Sequence, residues 1–266
     1  MWTLPMAIAA GNTLILKPSE KVPMTMNRVM ELLKEAGCPD GVVNIVNGAV
    51  DAVNLLCSHP KIKAVTFVGS SKVAEIVSSA CHKSHKRVLA LGGAKNHLVA
   101  HPTCDAQMAS SDIVASFCGC TGQRCMAAST LLLVGPQPDL VTLIVEKANN
   151  LQPGQSPGQL GPVIDQLSLD RIHRYIDQAD KAWVKILLDG RKAWKLHPTC
   201  AKGYWIAPTV LLHSSPSDAA MTDEIFGPVI SIYMCKDEEE AIAIENANRA
   251  FFYLLLVHLS LCHDTY

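Results

Sequence analysis

The sequence predicts an α/β protein in two parts: an incomplete Rossmann-type parallel-sheet domain followed by a second α/β domain. Three observations carry this. In the first third of the chain, short β-rich runs alternate with helical stretches, the pattern of a parallel sheet with crossover helices. Near Lys95 this rhythm gives way to a less regular succession of helices, strands and loops. The length of 266 residues suits two modest domains at roughly 100–200 residues each.

The elements follow in order. Thr13-Leu14-Ile15-Leu16 reads as a buried strand, and Val22 to Ala36 as a helix stopped by Gly37 and Pro39. Val42 to Val46 and Ala64 to Val68 read as strands on either side of a helix around Ala49 to Cys57. Gly69-Ser70-Ser71 opens the next helix, and Arg87 to Leu91 closes the series before Gly92-Gly93. Beyond Lys95, helices are expected near Asp105 to Phe117, Pro138 to Asn150 and Leu167 to Ala179, and Pro153 to Gly158 is a loop by composition. Asp237 to Ile242 begins a helix whose first-turn carboxylates suit the macrodipole.

Hydrophobic residues make up 49% and charged residues 18%, with a formal charge of −1. This balance speaks against a disordered tail, a polyphosphate-binding surface or a nucleic-acid partner. Ten cysteines are scattered among apolar neighbours without small-scaffold spacing, which points to reduced thiols inside a cell. The apolar run from Phe251 to Cys262, about a dozen residues, is shorter than the roughly 20 that cross a bilayer, so no membrane association is expected. Met1 to Pro5 carries neither a basic region nor a transit-like composition, and no targeting segment is expected within the chain.

Four short segments carry chemistry. Gly122-Gln123-Arg124-Cys125 places a thiol beside a cation and small residues, as a nucleophile requires; read alone, the same tetrapeptide fits a buried structural cysteine at least as well. Cys118, Cys120 and Cys125 have no usual zinc spacing and no histidine close behind, so no metal is expected. Phe67-Val68-Gly69-Ser70 ends a strand and enters a helix, where backbone N–H groups can receive a pyrophosphate, although such turns are common in α/β proteins and G-x-G-x-x-G is missing. Lys17-Pro18-Ser19-Glu20 follows the first strand, either at a ligand-binding sheet edge or as a solvated turn. Glu224-Ile225-Phe226-Gly227-Pro228 sets a carboxylate and a ring before the apolar strand Val229 to Tyr233.

In their order along the chain, and with Leu91-Gly92-Gly93-Ala94-Lys95 between the second and the third, the four segments resemble the aldehyde dehydrogenase family, whose members carry KPSE-like, FTGS-like, ELGGK-like, GQxC and ExFGP segments in that succession. Leu160-Gly161-Pro162 and Ala207-Pro208-Thr209-Val210 look like further landmarks, and the resemblance runs from about Trp2 to about Arg249. Leu91 to His97 and Gly122 to Ala127 look most like the CoA-acylating, methylmalonate-semialdehyde type. Ala90 stands where hydrolytic members carry a glutamate base, which fits an acyl group awaiting a CoA thiol in place of water.

The resemblance implies an aldehyde dehydrogenase-like fold with a partial NAD-binding domain over 1–94, a partial catalytic domain over 95–250, the site between them, and an aberrant apolar tail over 251–266. It implies Cys125 as the nucleophile, with its own N–H as an oxyanion donor. Lys17 and Glu20 would hold the adenosine ribose, Gly69 and Ser70 the pyrophosphate, and Glu224 and Phe226 the nicotinamide ribose and ring. Glu20 favours NAD over NADP. Arg124 either meets the carboxylate of a semialdehyde acid or tunes Cys125. The expected partners are a small aldehyde and CoA, and family members are homo-oligomers, often mitochondrial. Against the family pattern, Ala74 replaces a glycine after Gly69, a second oxyanion donor lies upstream of the matched segment, and the oligomerising strand is expected to be lost after Arg249. A non-catalytic fragment that binds nucleotide or a partner subunit is therefore the alternative reading.

Overall fold

The protein is described from a computed structural model covering residues 2–195, 197–248 and 254–257. The chain divides into two compact units, Met1–Gly93 and Ala94–Tyr266.

The first unit runs α1 (Leu4–Ala9), β1 (Leu14–Leu16), α2 (Pro23–Glu35), β2 (Val43–Ile45), α3 (Val50–Ser58), β3 (Ala64–Val68), α4 (Ser71–Lys83) and β4 (Arg87–Leu91). The expected alternation is present, but the strands form two separate parallel pairs, β1 with β2 and β3 with β4. Pro23 starts α2, where a missing N–H costs nothing, and left-handed Gly37 follows its end. A small core gathers Cys57, Val77 and Cys81, backed by Val53, Phe67 and Val88. Lys86, buried, donates to the Leu56 and His59 carbonyls at 2.9 and 2.6 Å, closing the carboxyl end of α3 with a cation. One expectation is corrected here: β1 is not a buried strand, since Ile15 is 45% exposed and its neighbours are half-buried. An isolated two-stranded ribbon cannot cover both faces of its strands.

The second unit runs β5 (Asn96–Ala100), α5 (Ala106–Cys118), β6 (Ala128–Val134), α6 (Pro138–Asn149), α7 (Gln166–Lys181), β7 (Lys185–Leu188), α8 (Gly190–Ala193), β8 (Thr209–His213), α9 (Ala219–Thr222), β9 (Val229–Cys235), α10 (Glu238–Ala247) and β10 (Leu254–Val257). Six strands make one sheet in the order β10-β5-β6-β9-β8-β7, parallel throughout except for antiparallel β7. Leu131, Leu132 and Leu133 are wholly buried, the mark of a central strand covered on both faces. Helix starts are capped by Asp105, Asp165 and Asp237, each accepting an N–H three residues on at 2.8–2.9 Å. Within the 251–266 segment expected as an apolar tail, Leu254–Val257 form β10, which pairs with β5 from His97 to Ala100 and extends the sheet. Residues 249–253 and 258–266 lie outside the described residues. No helix among the described residues is long and apolar enough to cross a membrane.

Candidate active site

Helix α5 ends at Cys118 and the chain enters a 3-10 turn over Gly119–Gly122 that leads to the candidate nucleophile. Cys120, Thr121 and Gly122 all have positive φ, at 54°, 58° and 69°. A non-glycine residue in the left-handed region costs roughly 1–2 kcal/mol, so the two side-chain-bearing positions need support from around them. They receive it. Thr121 Oγ1 donates to the Gly161 carbonyl at 2.8 Å. Gln123 Oε1 accepts from Ile164 N–H at 2.9 Å, while its Nε2 donates to the Cys120 carbonyl at 3.2 Å. The Leu160-Gly161-Pro162 landmark is thus a buttress for the nucleophile loop.

Cys125 is half-buried. Its carbonyl accepts from Asn96 Nδ2 at 2.6 Å, and the same amide donates to the Ala127 carbonyl at 3.0 Å. Asn96 is itself buried, and the β5–β6 register shifts between Asn96 and His97, an irregularity of the kind that re-aims side chains beside functional sites. Arg124 is exposed, with its guanidinium laid against Gly119: a Cβ on that glycine would come within 3.0 Å of Nη1. Arg124 has no ion-pair partner among the described residues, so it is available to an anion.

The Glu224–Pro228 turn belongs to the same unit and meets this loop directly. A Cβ on Gly122 would lie 2.0 Å from the Gly227 carbonyl oxygen, and one on Gly227 would lie 2.4 Å from Ile172 Cδ1. Glycine is therefore required at both positions by close approach, and at Gly122 also by its backbone angle. Glu224 is half-buried, with Oε1 accepting from Ala94 N–H at 3.2 Å. Phe226 is half-buried with φ 56°. Arg171 Nε holds the Ile225 carbonyl at 3.0 Å, and Tyr175 donates to Asp223 at 3.0 Å.

Lys95 lies beneath this turn, 1% exposed, and donates from Nζ to the Ala220 carbonyl at 2.7 Å. Burial lowers its pKa to about 7 against the pull of Asp223 and Glu224. Burial also lowers His97 to about 4, so its ring is neutral near pH 7, and raises the carboxyl of Glu245, its buried partner. Burial pushes the Cys118 thiol upward and Cys235 up to about 11, which leaves both protonated and unsuited to nucleophilic work. No group of three His, Cys, Asp or Glu side chains able to hold a metal occurs among the described residues.

The remaining predicted residues lie in the first unit. Lys17 follows β1, with Nζ donating to the Pro18 and Gly48 carbonyls, the latter at 2.9 Å, and 4.0 Å from Glu20. The Glu20 carboxylate is 54% exposed and can accept from ribose hydroxyls. Ser70 is exposed at the N-cap of α4, with its hydroxyl not used in capping. The Gly69 N–H is committed to the Leu91 carbonyl at 3.1 Å, and the N–H groups without an intrahelical partner are those of the first turn of α4. Gly69 acts by having no side chain, since a Cβ there would strike the Phe67 ring at 2.6 Å. Ala74 is buried, and its methyl group fills the interior of α4's inner face. Ala90 lies within β4 opposite Phe67 and offers no proton acceptor. Sequence reasoning passed over Asn96, Gln123, Thr121 and Lys95 as structural partners of the site. Asn96 and Lys95 stood inside the quoted Leu91 to His97 segment, but nothing local showed what they reach.

Residues 1–250 match the model of the aldehyde dehydrogenase family. Malonate-semialdehyde dehydrogenase 2 of Geobacillus thermodenitrificans is 43% identical over 260 residues, covering 95% of this chain and 53% of that protein. The rat (Rattus norvegicus) protein named methylmalonate-semialdehyde/malonate-semialdehyde dehydrogenase, acylating, mitochondrial, is 40% identical, covering 93% and 46%. Among solved structures, the methylmalonate-semialdehyde dehydrogenase of Oceanimonas doudoroffii superposes with a TM-score of 0.88 at 35% identity, covering 93% of this chain and 51% of that one. The Thermus 1-pyrroline-5-carboxylate dehydrogenase with bound NAD reaches 0.81 at 32% identity, covering 91% and 47%. The chain spans about half the length of the curated relatives it matches.

Proposed function

Because the chain belongs to the aldehyde dehydrogenase family, we propose that it takes part in NAD-dependent oxidation of malonate or methylmalonate semialdehyde to an acyl-CoA through a thioester on Cys125. The observation that carries this reading is the seating of Gly122 against the Gly227–Pro228 backbone, which couples the Cys125 loop to the Glu224 turn within one unit.

The residues fit the cofactor. Glu224 has one oxygen fixed by Ala94 and the other open to a ribose hydroxyl. Lys17 and Glu20 suit the adenosine ribose, and Ser70 with the first-turn amides of α4 suits a pyrophosphate. Bound NAD supplies a hydride acceptor.

The Cys125 thiolate attacks the aldehyde carbon, and the carbonyl electrons move to oxygen, where the Cys125 N–H stabilises the charge. When the C–H electron pair departs as hydride, the carbonyl reforms and a thioester remains on Cys125. The CoA thiolate then adds to that carbonyl and expels the Cys125 thiolate, which restores the starting state. Arg124, exposed beside the nucleophile and unpaired among the described residues, suits the carboxylate that distinguishes a semialdehyde acid from a plain aldehyde. A mitochondrial location belongs to the same reading, supported by the naming of the rat relative.

The test is NADH formation with methylmalonate semialdehyde, with and without CoA. A CoA-dependent steady state that disappears in Cys125→Ser supports the reading. Equal turnover with water as acceptor, or full activity in Cys125→Ser, refutes it.

A further inference from the structure

Lys95 is among the largest wholly buried side chains of the described residues, and it is charged in its ordinary state. Removing an ammonium from water is expensive, and it is repaid only by well-placed partners. The partner found here is a single backbone oxygen, Ala220 O, at 2.7 Å. That carbonyl also accepts from Ser231 Oγ at 2.8 Å. Ala220 lies in α9, a four-residue helix that ends directly before Asp223 and Glu224. So short a helix has no stability of its own. Its other anchor is Asp218, whose carboxylate meets His213 Nδ1 at 2.8 Å.

We propose that Lys95 is a positioning residue, whose buried ammonium holds α9 through Ala220 and thereby fixes the turn that presents Glu224. The assignment of Glu224 to the cofactor rests on the function proposed above; the anchoring of the turn does not. The adjacent backbone contributes as well, since Ala94 N–H holds Glu224 Oε1 and the Lys95 carbonyl accepts from Asn248 Nδ2 at 3.1 Å. The charges facing Lys95 are Asp223 and Glu224 on the turn, His97 of β5 with Glu245 of α10 behind it, and His213 of β8 with Asp218. Burial brings Lys95 to about 7, so the ammonium gives way to the amine across neutral pH. An ammonium donates a stronger hydrogen bond than an amine does.

Hydrogen–deuterium exchange on the full chain, corrected for intrinsic rates, tests this in wild type and Lys95→Met. Peptides spanning 219–228 should exchange about tenfold faster in the variant, while peptides from β6 and α6 stay unchanged. In wild type the protection of the same peptides should shift as pH passes through about 7, and the variant should show no such step. Unchanged exchange at 219–228, or loosening spread evenly over the unit, overturns the proposal. Where Lys95→Met does not fold, the wild-type pH step decides alone, and its absence overturns the proposal. A parallel NAD titration separates the two readings. Failure of wild type to bind NAD sinks the cofactor role of Glu224 and leaves the exchange result standing. Equal NAD affinity in wild type and a loosened variant overturns the link between Lys95 and cofactor binding.

Discussion

The two units are made from the same kinds of element but hold them in different ways. Among residues 2–93, seven apolar side chains are buried, Pro18 among them, and α2 buries none of its residues. The second unit carries three core clusters, around Phe117 and Leu131, around Ile172 and Ile225, and around Leu132 and Met221. The elements expected to hold the adenosine end of a cofactor therefore sit in a thinly packed frame. The candidate nucleophile and Glu224 sit in a dense one, fastened by long-range polar contacts. Strained backbone at Cys120 and Thr121 persists where surrounding structure over-determines it, and the second unit supplies that.

The sharpest way to break the comparison is to truncate one buried side chain in each core. Phe117→Ala removes a wholly buried ring and should cost roughly 3–5 kcal/mol. Val77→Ala loses two carbons from the smaller cluster and should cost roughly 1.5 kcal/mol. Urea unfolding followed by a probe in each unit checks both values. Similar losses would show that the first unit is as tightly packed as the second.

Glycine replacements come next. Gly122→Ala combines a φ of 69° with a Cβ 2.0 Å from the Gly227 oxygen, for an expected loss of roughly 2–5 kcal/mol. Gly37→Ala has a φ of 87° but nothing within 4 Å, so the backbone cost of roughly 1–2 kcal/mol stands alone. Iodoacetamide labelling of Cys125 should change in the first variant and stay as in wild type in the second. Unaltered labelling in Gly122→Ala would mean that the loop and the Glu224 turn are not coupled.

Lys95 gives a pH-dependent contrast. Its native pKa of about 7 lies below the ordinary 10.5, so between those values the unfolded chain binds a proton that the native state lacks. Stability then rises with pH across that window, and the burial cost is fully present below about 7. Lys95→Met removes the cost, so it should gain roughly 1–4 kcal/mol at pH 6 and progressively less toward pH 10. Unfolding in urea at pH 6 and pH 9 measures the gain. A variant less stable at both pH values would make Lys95 an ordinary structural lysine.

What could be read from the sequence divides along the same line. β3 and β4 appear over the predicted residues, α3 and α6 differ by a residue at their ends, and α4 starts within the predicted opening, because turn and capping signals are local. The order of the four chemical segments was legible for the same reason. The exposure of Ile15 was not, since an apolar run reports what a strand prefers and says nothing about whether its sheet is continuous. Nor was the need for glycine at position 122, which depends on Gly227, 105 positions away in the chain. Asn96 and Lys95 are likewise explained by the Cys125 and Ala220 carbonyls they reach. The pairing of Leu254–Val257 with β5 is another long-range fact, in a segment read from the sequence as an aberrant apolar tail.

The smallest expected effect tests whether the thinly packed unit discriminates between cofactors. Lys17 is held by two carbonyls and its side chain is 18% exposed, so its ammonium is fixed before any ligand arrives. Glu20 is 54% exposed and 4.0 Å away, too solvated for the ion pair itself to matter much. Its contribution should come from accepting ribose hydroxyls and from repelling a 2′-phosphate. Glu20→Gln keeps the shape and removes the charge, so NAD affinity should fall by about 1 kcal/mol, several-fold in Kd. NADP affinity should rise in the same variant, because the repulsion is gone while Lys17 remains. Titrating both cofactors against wild type and variant gives the ratio that decides. If the preference for NAD over NADP is unchanged, selectivity does not come from Glu20. If wild type prefers NADP, the assignment of this turn to the adenosine ribose of NAD is wrong.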